Sequence, residues 1–221
     1  MSVLHHTRSL IFVNGDIPDR NALQGYIQAD DYLVAVDGGY AHMKQLNLIP
    51  HLLIGDLDSI DSADLDFLTG MGVAVQRFPT HKDETDLELA LEAVLRKGFQ
   101  SIRLIGGLGG RFDQSLANLM LLTRPDLKEL DIRLEDGVTE AFFIHHSGVI
   151  WGKPGDTISL LPIQEPAHQI VTEGLYYPLR SETLWTDRTR GISNVMTSEQ
   201  ATISIGSGSV LCIHIRNKEN P

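Results

Sequence analysis

The sequence predicts an α/β N-terminal domain with a largely parallel sheet over residues 1–135, followed by a C-terminal all-β sandwich domain over residues 136–221. Three observations carry this. Up to residue 135, short β-branched runs alternate with helical patterns, as strand–helix–strand units do. From Asp136 onward the helical period disappears, and short apolar runs are separated by Gly, Pro, Asn and Asp, the spacing of antiparallel strands in a small sandwich or barrel. The boundary at Asp136-Gly137 rests on that change of period, because no Ser/Pro-rich linker marks it.

In chain order, Leu33 to Val36 reads as a buried strand closing on Asp37-Gly38-Gly39, and Tyr40 to Leu48 as a helix stopped by Pro50. Leu52 to Ile54 is the next strand, followed by an Asp-rich turn, a short helix from Ala63 to Gly70, and a strand from Val73 to Phe78 before Pro79. Thr85-x-x-Glu88 fits a capping box. The helix after it sets Leu87, Ala90, Leu91, Val94 and Leu95 on one face, with Arg96 and Lys97 in its last turn and Gly98 beyond. Ile102 to Ile105 is a strand, Gly106 to Gly110 a loop, and Gln114 to Thr123 a second helix before Pro125. The β-rich half offers Ala141 to Ile144, Val149 to Trp151, Thr157 to Leu161, Thr183 to Trp185, Ala201 to Ile205 and Val210 to Ile215. Trp151 and Trp185 read as β-core residues.

Composition narrows the partners. The 221 residues are 42% hydrophobic and 21% charged, as in ordinary globular chains. Their net charge of −11 disfavours nucleic acid and anionic lipid, both of which require a cationic face. Cys212 is the single cysteine, so neither an intramolecular disulfide nor a cysteine-rich zinc site can form. The apolar run Leu10 to Val13 is too brief for a signal-peptide core, and Gln200 to Ile215 falls short of a spanning segment. The expectation is a cytoplasmic protein with no membrane partner. The pairs His5-His6 and His145-His146 lack metal-ligand spacing and read as surface or strand residues.

The acidic residues of the first half gather where predicted strands end: Asp37, then Asp56 and Asp58, then Asp83 to Asp86, then Asp113. In an open α/β sheet the ligand crevice lies beyond the carboxyl ends of the strands, so these places can converge. Any single Asp there also suits a turn or an N-cap. Asp56 and Asp58, two residues apart in an extended segment, point to the same side, and Asp86 at a helix start supplies a third oxygen ligand. Carboxylates about 4 Å apart repel by ~4 kcal/mol at an effective dielectric of 20, so the cluster calls for a cation, with Mg²⁺ the expected one. Gly106-Gly107-Leu108-Gly109-Gly110-Arg111 before a helix suits a phosphate, although it matches neither a dinucleotide fingerprint nor a P-loop. Lys82 offers a second phosphate contact.

Taken together and in this order, Asp37-Gly38-Gly39, Gly55-Asp56-Leu57-Asp58-Ser59, Lys82-Asp83-x-Thr85-Asp86 and Gly109-Gly110-Arg111-x-Asp113 with Asn118 resemble the thiamine pyrophosphokinase family. Gly174-Leu175-Tyr176-Tyr177 and Ser193-Asn194 fall where that family has its thiamine-pocket segments. The resemblance implies transfer of pyrophosphate from ATP to the thiamine hydroxyl, releasing AMP, in a homodimer whose thiamine pockets lie between subunits. It implies Asp56, Asp58 and Asp86 as Mg²⁺ ligands, and Asp86, Arg111 and Asp113 as catalytic residues. ATP contacts would come from Asp37, Gly38, Gly39, Lys82, Asp83, Thr85, Gly109, Gly110, Arg111 and Asn118, and thiamine contacts from Tyr177, Ser193 and Asn194. The general base is open between Asp86 and Asp113.

Three residues depart from the family pattern: Gln114 where His is frequent after Arg-x-Asp, Tyr177 where Trp is frequent, and Leu57 for a common Phe. Two other readings stand beside this one. An aspartate-nucleophile phosphohydrolase also fits a strand ending in Asp56-x-Asp58, and a non-catalytic nucleotide- or thiamine-binding module would keep the fold without turnover.

Overall fold

A computed structural model describes residues 6–217; His5 of the first histidine pair lies outside them. The chain forms two compact units, Met1–Gly137 and Val138–Pro221.

The first unit runs β1 (Ser9–Phe12), α1 (Arg20–Tyr26), β2 (Tyr32–Val36), a 3-10 turn (Asp37–Gly39), α2 (Tyr40–Gln45), β3 (Leu52–Gly55), α3 (Ser62–Gly70), β4 (Ala74–Arg77), α4 (Asp86–Arg96), β5 (Ser101–Ile105), α5 (Phe112–Leu121), a second 3-10 turn (Pro125–Leu127) and β6 (Asp131–Glu135). Its strands lie in the order β6-β5-β1-β2-β3-β4, every pair parallel. Helices therefore connect the strands, and central strands covered on both faces read as continuous apolar runs, as β1 and β2 do. After β1 the chain steps outward through β2, β3 and β4, then returns to lay β5 on the other side of β1. That reversal places the topological switch point, and with it the ligand crevice of such sheets, between β1 and β5.

The predicted capping box exists: Thr85 Oγ1 accepts from Glu88 N at 3.2 Å, and Glu88 carboxylate accepts from Thr85 N at 2.8 Å. α4 buries Leu87, Ala90, Leu91 and Val94 of the predicted face, with Leu89 and Ala93 besides, and leaves Leu95 half-buried. The helix expected from Tyr40 to Leu48 ends at Gln45, because Leu46, Asn47 and Leu48 turn back by bonding to carbonyls of residues 42 to 44. Asn47 takes the left-handed conformation, which Asn tolerates.

The second unit contains β7 (Thr139–Ile144), β8 (Ser147–Trp151), β9 (Thr157–Leu161), β10 (Ala167–Glu173), β11 (Arg180–Leu184), β12 (Asn194–Val195), β13 (Gln200–Ser204) and β14 (Val210–Ile215). They form two antiparallel groups, β12-β9-β14-β7 and β11-β10-β13-β8. Ile158, Leu160, Phe142 and Cys212 from the first meet Ile150, Ile170, Leu184 and Ile203 from the second in one core, so the unit is a sandwich. The two tryptophans correct the expectation. Trp151 is 68% and Trp185 46% exposed. With a period of two, burial of Ile150 sends Val149 and Trp151 outward, and Trp185 lies just beyond β11, whose last residue Leu184 takes the core position.

Candidate active site

The carboxyl ends of the parallel strands carry a continuous row of interlocked loops. At the switch point the β1 loop Asn14-Gly15-Asp16 presses on the β5 loop, so closely that a Cβ on Gly15 would stand 2.1 Å from Gly106 O. Asp16 accepts from Gly110 N at 2.8 Å. Gly38 lies against the Asn14 side chain, and a Cβ on Gly39 would stand 2.1 Å from Phe12 O, which gives Asp37-Gly38-Gly39 its physical reason. The next link is Asp37: its Oδ1 accepts from Leu57 N at 3.0 Å and covers Gly55, where a Cβ would meet it at 1.8 Å.

Asp37, Asp56, Asp58, Asp86 and Lys82 come together here. Burial first, and then Asp86 and Asp56, push the Asp37 carboxyl up to about 6, against the hydrogen bond from Leu57 that lowers it. Asp58 is raised, chiefly by Asp56, whereas Asp56 is lowered by the hydrogen bond from Asp58 N, aided by Thr80 and Lys82. The route to this closeness is not the extended segment expected. Leu57 has φ +65° and is buried, and Asp56 Oδ1 accepts from Asp58 N at 3.1 Å, so the two aspartates face each other across a turn. Left-handed Leu57 and Asp37 (φ +42°) carry backbone strain of the kind that collects at functional sites.

Asp86 opens α4. The Lys82 ammonium lies 2.8 Å from its Oδ1 as an ion pair and donates its hydrogen bond to Pro79 O; Oδ1 is buried and accepts no hydrogen bond. Among the described residues no three His, Cys, Asp or Glu side chains already surround one point at metal-ligand distance. The donor set nevertheless fits a hard cation: crowded carboxylates, of which Asp58 is raised chiefly by Asp56, and a buried Asp86 oxygen beside the Lys82 ammonium. Asp83 and Thr85 sit on the exposed loop leading into α4.

The glycine loop is held from both sides. Gly106, Gly109 and Gly110 all have positive φ. Ser115 Oγ donates to Gly109 O at 3.1 Å, and Asn118 Nδ2 to Gly107 O at 2.9 Å. Asn118 thus shapes the loop. Arg111 grips Asp113 with two bonds, at 3.1 and 2.5 Å, and this contact holds Asp113 below the usual carboxylate range.

In the second unit Asn194 clasps Tyr177 at both ends: its Oδ1 accepts from Tyr177 N at 2.9 Å and its Nδ2 donates to Tyr177 O at 2.7 Å. Tyr177 is exposed and meets Tyr176 edge-on at 4.8 Å. Ser193, at φ +57°, donates its N–H to Ser159 Oγ. The three residues expected at thiamine are therefore neighbours, with Tyr177 offering an open aromatic face and Asn194 buried beneath its backbone.

Residues 23–134 match the family described as thiamin pyrophosphokinase, catalytic domain, and residues 148–210 match thiamin pyrophosphokinase, vitamin B1 binding domain. The chain belongs to the thiamine pyrophosphokinase family. It is 30% identical over 199 residues to thiamine pyrophosphokinase of Bacillus subtilis, covering 89% of this chain and 92% of that protein. With thiamin pyrophosphokinase 1 of Caenorhabditis elegans it shares 24% over 208 residues, 84% of this chain and 80% of the other. A crystal structure of the Bacillus subtilis thiamine pyrophosphokinase superposes with a TM-score of 0.85 at 27% identity, over 96% of this chain and all of that one.

Within this thiamine pyrophosphokinase fold, the sequence reading passed over Asn14, Asp16 and His42. His42 donates from Nε2 to Gly15 O at 2.8 Å, and burial lowers its pKa, leaving a neutral ring with a buried, bare Nδ1. The available signal was Asn14-Gly15-Asp16 after an apolar run, a turn after a strand. A four-residue strand is too short to announce itself by periodicity.

Proposed function

We propose that the chain is a thiamine pyrophosphokinase, transferring the pyrophosphoryl group of ATP to the hydroxyl of thiamine and forming thiamine diphosphate and AMP. The observation that carries this is the loop row at the β1/β5 crevice, with carboxylates at one end and a braced glycine loop at the other, in a chain whose two halves match the two domains of one family. The first unit is the nucleotide- and metal-binding catalytic domain; the second is the thiamine-binding and dimerisation domain.

Asp56, Asp58 and Asp86 hold Mg²⁺. When bound, the cation neutralises charge on the ATP phosphates and on the transferring group. Asp37, Gly38, Gly39, Asp83 and Thr85 shape the nucleotide crevice, and the glycine loop at Gly109 and Gly110, braced by the Gly110 N–H bond to Asp16, lies along the phosphates. Lys82 and Arg111 supply positive charge. Tyr177 stacks on the cationic thiazolium ring, with Ser193 and Asn194 fixing the segment. The thiamine hydroxyl oxygen attacks the β-phosphorus, the bond from that phosphorus to the AMP oxygen breaks, and the hydroxyl proton passes to a carboxylate. Asp86, in the first turn of α4, and Asp113, in the first turn of α5, are the two carboxylates placed to take that proton.

Homodimer formation, with thiamine pockets between subunits, is part of this proposal. Exposed apolar residues support it: Phe112, Leu116 and Met120 along α5, and Val149, Trp151 and Val171 on the second unit. No helix among the described residues is long and apolar enough to cross a membrane. A reducing cytoplasm suits the lone, buried Cys212.

Purified protein with Mg-ATP and thiamine is expected to form AMP and thiamine diphosphate in equal amounts by chromatography. Release of phosphate from simple phosphoesters, without thiamine, would instead mark a phosphohydrolase. Ligand binding with no AMP above the thiamine-free control would mark a non-catalytic module.

A further inference from the structure

His214, on β14, is fully buried between two carboxylates: Nδ1 lies 3.0 Å from Glu140 on β7, and Nε2 lies 2.9 Å from Asp156. A neutral imidazole has one N–H and can donate to one of them. Burial lowers the pKa of this ring, but the hydrogen bonds to Glu140 and Asp156 prevail and raise it. Charged groups are expensive to bury in a β core, and nothing in the proposed chemistry uses this trio.

Asp156 connects it to the surface. Its carboxylate also accepts from Lys153 N at 2.9 Å and from Asn217 N at 3.0 Å, closing the turn that precedes β9. The backbone of that turn holds Met196 twice, Met196 N to Asp156 O and Gly155 N to Met196 O, each at 2.9 Å. β12 is thereby set beside the start of β9, Val195 opposite Thr157 and Asn194 opposite Ile158. Tyr176 N in turn donates to Val195 O, and Asn194 clasps Tyr177. Gly152 packs onto the contact itself: a Cβ there would lie 2.7 Å from Asp156 Oδ2, 2.8 Å from Met196 Sδ and 2.9 Å from His214 Nε2.

We propose that His214 and Asp156 are positioning residues for thiamine, fixing the turn before β9 and, through β12 and Asn194, the place of Tyr177. Glu140 bonds the other ring nitrogen and has no part in this route. The inference rests on the proposed thiamine site, so wild-type turnover is measured first; a wild type that makes no thiamine diphosphate overturns that reading. With an active wild type, Asp156→Asn is expected to raise KM for thiamine about 10- to 100-fold, the range for a small misplacement, with KM for ATP and kcat nearly unchanged. Glu140→Gln leaves the Nε2–H bond to Asp156 available and should lower thermal stability without moving KM for thiamine. In a double-mutant cycle, Asp156→Asn adds little to the effect of Tyr177→Ala. If Asp156→Asn does not fold, Gly152→Ala, which wedges a methyl into the same contact, carries the same expectations. An unchanged thiamine KM in the folded variant, or an equal rise in Glu140→Gln, overturns the proposal.

Discussion

At the scale of single residues, the carboxylates of the crevice are held where they repel one another, and removing one should separate folding from catalysis. Asp58 is raised chiefly by Asp56, so Asp58→Asn relieves repulsion while deleting a proposed ion ligand. The expected outcome is a thermal midpoint in cation-free buffer no lower than wild type, loss of the stabilisation that Mg²⁺ gives the wild type, and turnover reduced at least ~100-fold, the scale of losing one charge-stabilising group. Full activity of Asp58→Asn would remove it from the ion site. His214 gives a pH-dependent expectation. Its folded pKa is raised above the unfolded value near 6.5, so its stabilisation is complete below that value and lost as pH rises through the folded pKa. Burial raises Asp156, but the bonds from His214, Lys153 and Asn217 prevail and lower it, so its contribution is present above the unfolded value near 3.8 and lost as pH falls through the folded one. The difference in midpoint between wild type and His214→Gln, followed by calorimetry, should therefore be greatest between about pH 4 and 6.5 and shrink on the alkaline side. A difference that stays constant from about pH 4 to well into the alkaline side would mean that packing alone is lost.

At the scale of elements, the site depends on how loops are tied to helix starts. The Thr85–Glu88 box fixes the first turn of α4, where Asp86 sits. Thr85→Ala should cost about 1 kcal/mol in urea unfolding, and retention of full stability would show that the cap is not needed. Asp16 braces the glycine loop opposite Ser115 and Asn118. Asp16→Ala should raise KM for ATP with thiamine KM unchanged, and Asp16→Asn, which keeps an acceptor for Gly110 N, should restore it. The capping box was readable in sequence because its two partners are three residues apart. So were the strand-end aspartates, since a strand must end in a turn. The Asp16 to Gly110 tie joins residues 94 apart in sequence, and the left-handed Leu57 turns its N–H to donate to Asp37, 20 residues away. Neither leaves a local pattern.

At the scale of the whole molecule, the order β6-β5-β1-β2-β3-β4 makes a crevice from segments that are remote in sequence, which is why an ordered set of short motifs predicted more than any one of them. Periodicity revealed the two architectures but not the small elements. β12 has two residues and is placed by its pairing with β9 and its bonds to Tyr176 and Tyr177. The exposed tryptophans show the limit of composition, since two large rings in a β-rich segment can face either way. If the exposed stripe of α5 belongs to a dimer interface, Leu116→Glu should shift the protein toward monomer in sedimentation, and an unchanged mass would place the interface elsewhere. The net charge of −11 is compatible with ATP under the proposed function, in which carboxylates gathered at strand ends act through a recruited cation. The central claim is transfer of an intact pyrophosphoryl group, and position-labelled ATP tests it most directly. With Mg²⁺ and thiamine present, γ-labelled ATP should deliver its label to thiamine diphosphate and α-labelled ATP should deliver its label to AMP. Label recovered as inorganic phosphate, with none in thiamine diphosphate, would contradict the account.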